Sequence, residues 1–176
     1  MDFYQTLFEV IDMRSFSNLW YWIAIAVTWS TTSHWVIGVP YDMLQRARRH
    51  GGQADSDFEA MVRINVNRLN YIRQLSGVWL VVFASTVASA LVVLGFWYDV
   101  EFAQAVFLIF FPLSIVAGLS FRTAERIAAS GETGEPLKRR MIRHRFSTQI
   151  VGMISLVLTA FWGMWRNLQL GAFGWF

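Results

Sequence analysis

Basic residues fall in two blocks along this chain and are excluded from long apolar segments on either side of them. Thirteen of the fifteen Lys and Arg lie within 40–75 and 122–145, whereas 18–39, 76–98, 102–121 and 146–165 contain no Asp, Glu, Lys or Arg. A helix needs ~20 residues to cross a hydrocarbon core of ~30 Å, and each apolar stretch reaches that length. The pattern predicts an all-α membrane protein with four transmembrane helices. Basic loops stay on the cytoplasmic side, which makes 40–75 and 122–145 cytoplasmic and places both termini outside, N-out and C-out. Tryptophan agrees by a separate physical route, because an indole favours the headgroup level. Trp20, Trp22, Trp97, Trp162 and Trp165 then fall at the outer surface, Trp35 and Trp79 near the inner one, and Trp29 in mid-membrane.

With 176 residues and 55% hydrophobic content, residues 1–176 read as one four-span membrane domain rather than a soluble domain with an anchor. The N-terminus lacks a basic n-region and a small-residue cleavage site, so the first crossing is expected to persist in the mature protein. The absence of Cys excludes disulfides, thiolate nucleophiles, Cys-ligated zinc and Cys-ligated iron–sulfur clusters. A net charge of +3 placed beside apolar spans points to anionic lipid as its counterpart, not to nucleic acid.

Local signals refine the four spans. Over 1–15, Asp2, Gln5, Thr6, Glu9 and Asp12 share one helical stripe opposite Phe3, Tyr4, Leu7, Phe8, Val10 and Ile11, which predicts an amphipathic helix on the outer surface. Ser15 or Ser17 is the expected cap of the first span, and Pro40 its end. RARRHGG reads as a basic turn, and Ser56 with Glu59 as a capping box that opens a helix from about 56 to 98. Phe58, Met61, Val62, Val66, Leu69 and Ile72 recur at helical spacing along its first half. The third span is expected to run on to Ala129, with GETGEP as a turn and Pro136 in the first turn of the last helix. These extensions build a short cytoplasmic helical stalk from three helices.

Within lipid, helices associate through small residues and interhelical hydrogen bonds. Thr148, Gly152, Ser155, Thr159 and Gly163 line one face of the fourth span, and Gly77, Ala84, Ala88 and Gly95 one face of the second. Both stripes are expected packing seams. Pro112 removes a backbone donor in the third span and is expected to loosen contact with the Leu108 carbonyl and give a kink.

Candidates for chemistry are few. His34, in the cluster Ser30-Thr-Thr-Ser-His34, and His144, before the fourth span, lie at similar depth and form a candidate pair for haem, pigment or quinone contact, although structural hydrogen bonding is their ordinary role. No H-E-x-x-H, phosphate-binding Gly loop, G-x-S-x-G or intramembrane carboxylate pair is present, so the expectation is no enzyme, no metal and no cofactor. A homo-oligomeric channel or small-solute transporter lined by Ser30, Thr31, Ser85, Ser89 and Thr159 is the rival reading. Fourteen of the fifteen basic residues are Arg. A guanidinium fork holds phosphate or carboxylate through paired hydrogen bonds. Arg46, Arg48 and Arg49 in one loop and Lys138, Arg139, Arg140, Arg143 and Arg145 in the other are therefore the candidate contacts for anionic lipid or an acidic partner.

RSFSNLWYWIAIAV from Arg14, SHWVIGVPYDML from Ser33 and the following RARR resemble a group of small bacterial inner-membrane proteins carried under the label "component of SufBCD complex". The likeness covers mainly the first third of the chain. It implies a multi-pass protein of the bacterial inner membrane and a connection with iron–sulfur cluster assembly. Without Cys or a nucleotide-binding motif, any such connection is scaffolding. The residues together predict a non-enzymatic accessory or scaffold subunit, either a homo-oligomer or attached to a larger energy-transducing membrane complex.

Overall fold

The computed structural model describes residues 15–173, with side chains through 169. The amphipathic helix expected over 1–15 lies, apart from Ser15, outside the described residues. A 3-10 turn, Ser15–Ser17, leads into α1, Leu19–His34. A two-stranded hairpin follows, β1 Trp35–Val36 against β2 Val39–Pro40, and then α2, Tyr41–His50. Helix α3, Gln53–Val92, ends in a π turn over Val93–Trp97. Helices α4, Glu101–Ser130, and α5, Gly134–Phe173, complete the chain.

Among the described residues the fold is all-α apart from that hairpin, and three helices are long and apolar enough to cross a membrane: Gln53–Trp97, Glu101–Ser130 and Gly134–Gln169. Helix α1, at 16 residues, falls short. The apolar stretch 18–39 is thus not helical to its end. Its cap is Asn18, whose side chain accepts from Trp20 N–H, and neither Ser15 nor Ser17 takes that role. Its last residue is His34, because the chain then reverses at Ile37 and Gly38, with φ of 54° and 76°. Two successive left-handed residues make the tight turn that matches strand twist. The reversal buries Val36, Ile37 and Val39, which a helix continued to Pro40 would have spread around its circumference.

RARRH is helix rather than turn: it closes α2, whose Leu44 and Ala47 face inward while the arginines face out, and the turn itself is Gly51–Gly52. Helix α3 starts at Gln53, before the expected capping box. Ser56 Oγ donates back to Gly52 O, and Glu59 is used elsewhere. Gly131 ends α4 with φ of 61° and returns its N–H to Ile127 O.

Two cores result. At the basic end, Phe58, Val62 and Val66 of α3 meet Ala124 and Ile127 of α4, Leu137 and Met141 of α5, Leu44 and Ala47 of α2, and the hairpin valines. The stalk is therefore built from four helices and a hairpin, not three helices. Phe58 is fully buried, and truncating such a residue costs about 3–5 kcal/mol, enough to make this end a folded core. The second core packs Ile25 and Trp29 of α1 on Val116 of α4. Along its most apolar window α3 buries no residue completely, although Ala84, Val87, Ala88 and Leu91 are half-buried.

Helix α4 runs through Pro112 without interruption. The carbonyl freed by the missing N–H, that of Leu108, accepts from Ser155 Oγ of α5 at 3.3 Å.

Candidate functional site at the basic end

The eight basic residues singled out by their sequence positions divide into two groups. Lys138 is almost wholly buried, with Nζ 2.7 Å from Asp55 and 3.2 Å from Glu135. Both carboxylates hold its pKa above the ordinary value, Asp55 foremost. Arg140 donates through Nε and Nη2 to both oxygens of Glu132, and this guanidinium keeps the Glu132 carboxyl below the usual carboxylate range. Arg145 donates to Ser33 O at 3.2 Å and lies 3.5 Å over the Tyr41 ring. These three are internal ties, joining α5 to α3, to the preceding turn, and to α1 and α2. Glu59 adds a fourth tie by accepting the N–H of Gly134 at 2.6 Å, a cap for α5 supplied from another helix.

The remaining five, Arg46, Arg48, Arg49, Arg139 and Arg143, are exposed and pair with no carboxylate among the described residues. Arg48 and Arg49 flank a shallow depression with Tyr41 and Gln45.

The two histidines do not converge. His34 ends α1 on the surface, edge-on to Trp35 with ring centroids 6.0 Å apart. His144 is buried, with Nε2 and Nδ1 each 3.2 Å from a hydroxyl, Ser120 and Thr123 respectively. Ser120 Oγ gives its proton to Val116 O, so Nε2–H must donate to Ser120, and Nδ1 of the neutral ring accepts from Thr123. Both ring nitrogens of His144 are thus engaged in hydrogen bonds.

Near His144 the hairpin, α3, α4 and α5 part to leave a crevice of about 360 Å³. Its walls include Leu113, Val116 and Ala117 of α4 and Leu69 and Ile72 of α3. Arg68, Asn65 and Trp35 stand with Thr32 and Ser120 around the rest. The Gly38 turn closes against Asn65, where an added β-carbon would lie 2.7 Å from Oδ1.

The opposite end is closed by hydrogen bonds. The π turn leaves Gly95 O without a helical donor, and the buried Gln104 amide fills the gap at 2.7 Å while its oxygen accepts from Trp162 Nε1 at 3.0 Å. Arg166 clamps Asp99, and Glu101 accepts Phe16 N–H. Gln104 is a structural tie that sequence reasoning passed over, although a lone amide inside an apolar stretch is a visible signal.

Of the packing stripes, Thr148, Ser155 and Thr159 are buried, Gly152 lies under Trp29 and Gly163 under Phe16. In the other stripe Gly95 abuts Gln104 and Ala103, and Ala84 and Ala88 are half-buried. Gly77 faces only Arg73 of its own helix. Of the polar residues expected to line a homo-oligomeric channel, Ser30, Thr31, Ser85 and Ser89 are exposed on α1 and α3, and Thr159 is buried, donating to Ser155 O. Comparison with protein-family models, curated proteins and solved structures found no match.

Proposed function

We propose that this chain is a non-enzymatic accessory or scaffold subunit of a bacterial inner membrane, crossing four times with both termini outside. It associates with itself or with a larger energy-transducing complex, and its basic end lies in the cytoplasm against anionic lipid or an acidic partner. The observation that carries the reading is the sorting of the charges. Where an arginine serves the fold it has a carboxylate, a carbonyl or an aromatic face, whereas Arg46, Arg48, Arg49, Arg139 and Arg143 point outward with no carboxylate among the described residues. Exposed guanidinium forks of this kind suit phosphate or carboxylate on another molecule. The four-span topology draws its support from the charge blocks and the tryptophan levels.

The test is the triple replacement of Arg46, Arg48 and Arg49 by Gln, followed in native membranes by protease accessibility and by native electrophoresis in mild detergent. Loss of a higher assembly or of retained anionic lipid, with topology unchanged, is the expected result. A wild-type protein that runs as a lone monomer with neither lipid nor partner would refute the proposal.

A further inference from the structure

The crevice beside His144 has a graded chemistry. Leu113, Val116 and Ala117 belong to the apolar stretch of α4, while Arg68 precedes the apolar stretch of α3 by eight residues, so one end is hydrocarbon-like and the other cationic. Most polar groups in its wall are already committed. Thr32 donates to Thr28 O, Asn65 to Met61 O, Ser120 to Val116 O and Thr148 to His144 O, and His144 has both nitrogens engaged. Among the described residues the lining side-chain donors that bond nothing are the Arg68 guanidinium and the Trp35 indole N–H. The wall they share with the hairpin is also strained. Ile37 holds a left-handed φ of 54°, a conformation that a β-branched residue resists, and such outliers concentrate where a ligand is clamped.

We infer that this crevice holds the phosphate-bearing end of a membrane amphiphile. Arg68 pairs the phosphate, Trp35 donates to a headgroup or ester oxygen, and the hydrocarbon chain lies along Leu113, Val116 and Ala117. The inference rests on the reading of the basic end as the cytoplasmic, anionic face, and it names a single seated ligand there rather than a diffuse belt. A volume near 360 Å³ falls within the range of small-molecule sites. A quinone offers neutral acceptors and would leave the guanidinium without a counter-charge, so an anionic headgroup fits better. Phosphate can come from a phospholipid or from a polyprenyl phosphate.

The experiment is native mass spectrometry of the full chain from nanodiscs of phosphatidylglycerol and phosphatidylcholine, with lipid extraction from native membranes in parallel. Arg68→Gln should lower retained phosphatidylglycerol roughly tenfold, the scale of one lost charge-assisted contact. Ala117→Phe should exclude it by filling the trough. Because Arg68 is exposed, its variant keeps the fold, which a thermal midpoint within a few degrees of wild type verifies. The Arg46, Arg48 and Arg49 triple variant should retain the seated lipid, and that separates this site from the belt. Retention unchanged in both Arg68→Gln and Ala117→Phe overturns the site whatever the triple variant does, as does recovery of a stoichiometric quinone in the native extract. A phospholipid or a polyprenyl phosphate recovered from wild type and lost from Arg68→Gln supports it, the mass telling which source is used.

Discussion

Ser155 Oγ donates across the α4–α5 interface to the carbonyl of Leu108 at 3.3 Å. Within α4 that carbonyl has no main-chain donor, since residue 112 is proline. Ser155→Ala should destabilise the protein by about 1 kcal/mol, the typical net worth of such a bond. The cost should shrink markedly when Pro112→Ala restores an N–H to the helix. Thermal unfolding of the single and double variants in one detergent measures this coupling, and equal costs in both backgrounds would disprove it.

Gly152 and Trp29 are in similarly direct contact. A β-carbon on Gly152 would stand 2.8 Å from the indole Cε3, while one on Gly118 would meet nothing within 4 Å. Gly152→Ala is therefore expected to cost about 1–3 kcal/mol through overpacking, and Gly118→Ala nothing of that kind. A common thermal midpoint for the two variants would remove the claim that Trp29 packs through Gly152.

At the hairpin, Gly38→Ala meets two penalties, a left-handed φ of 76° and the Asn65 oxygen. A left-handed backbone costs an L-residue about 1–2 kcal/mol, and the clash adds to it. Adding Asn65→Ala should recover only the second part. Complete recovery in the double variant would mean that the turn is not held left-handed.

Acid should weaken the basic end through Glu132. Its folded pKa lies below the unfolded one because Arg140 binds the carboxylate, so the native state binds fewer protons in between. The stabilisation is fully present above the ordinary carboxylate value of ~4.3 and disappears as pH falls through the depressed one. Glu132→Gln should lower the midpoint at neutral pH and flatten its decline in acid. An acid decline of unchanged steepness would assign the effect to other carboxylates.

Gln104→Leu keeps approximate volume but abandons Gly95 O and Trp162 Nε1 together. Leaving buried groups unpaired costs about 1–3 kcal/mol each, so this variant should be the least stable of those proposed here. Trp162→Phe, which forfeits only the bond to the Gln104 oxygen and leaves those from the Gln104 amide to Gly95 O and Asp99 Oδ1, should fall between it and wild type in urea or SDS titration.

Period and charge made most of the helical layout legible. Phe58, Val62 and Val66 repeat every four residues, so a buried stripe on α3 could be read directly, and the Leu108 carbonyl was marked by Pro112. What took that carbonyl could not be read, because Ser155 is distant in sequence and becomes a partner only when α4 and α5 pack. The same applies to the charges. Lys138 meets Asp55 across a long sequence separation, and nothing in KRR distinguishes the buried lysine from the exposed Arg139 beside it. The hairpin was hidden for a local reason. Val36-Ile37-Gly38-Val39 lacks the Asn-Gly or Asp-Gly signature of such turns, and a β-branched residue at a left-handed position runs against intrinsic preference.

That hairpin has a consequence for bilayer thickness. Sixteen residues give α1 a length of about 24 Å, short of a ~30 Å hydrocarbon core. On the four-span reading, the missing depth is made up by the chain that follows. An open loop there would carry bare amides into lipid at several kcal/mol each. The paired residues Trp35 with Pro40 and Val36 with Val39 reverse the chain while keeping main-chain groups bonded to one another. If α1 crosses as that reading has it, the crossing ends in a plug of sheet whose level is set by packing on the stalk, and thicker membranes should strain α1 before any other helix.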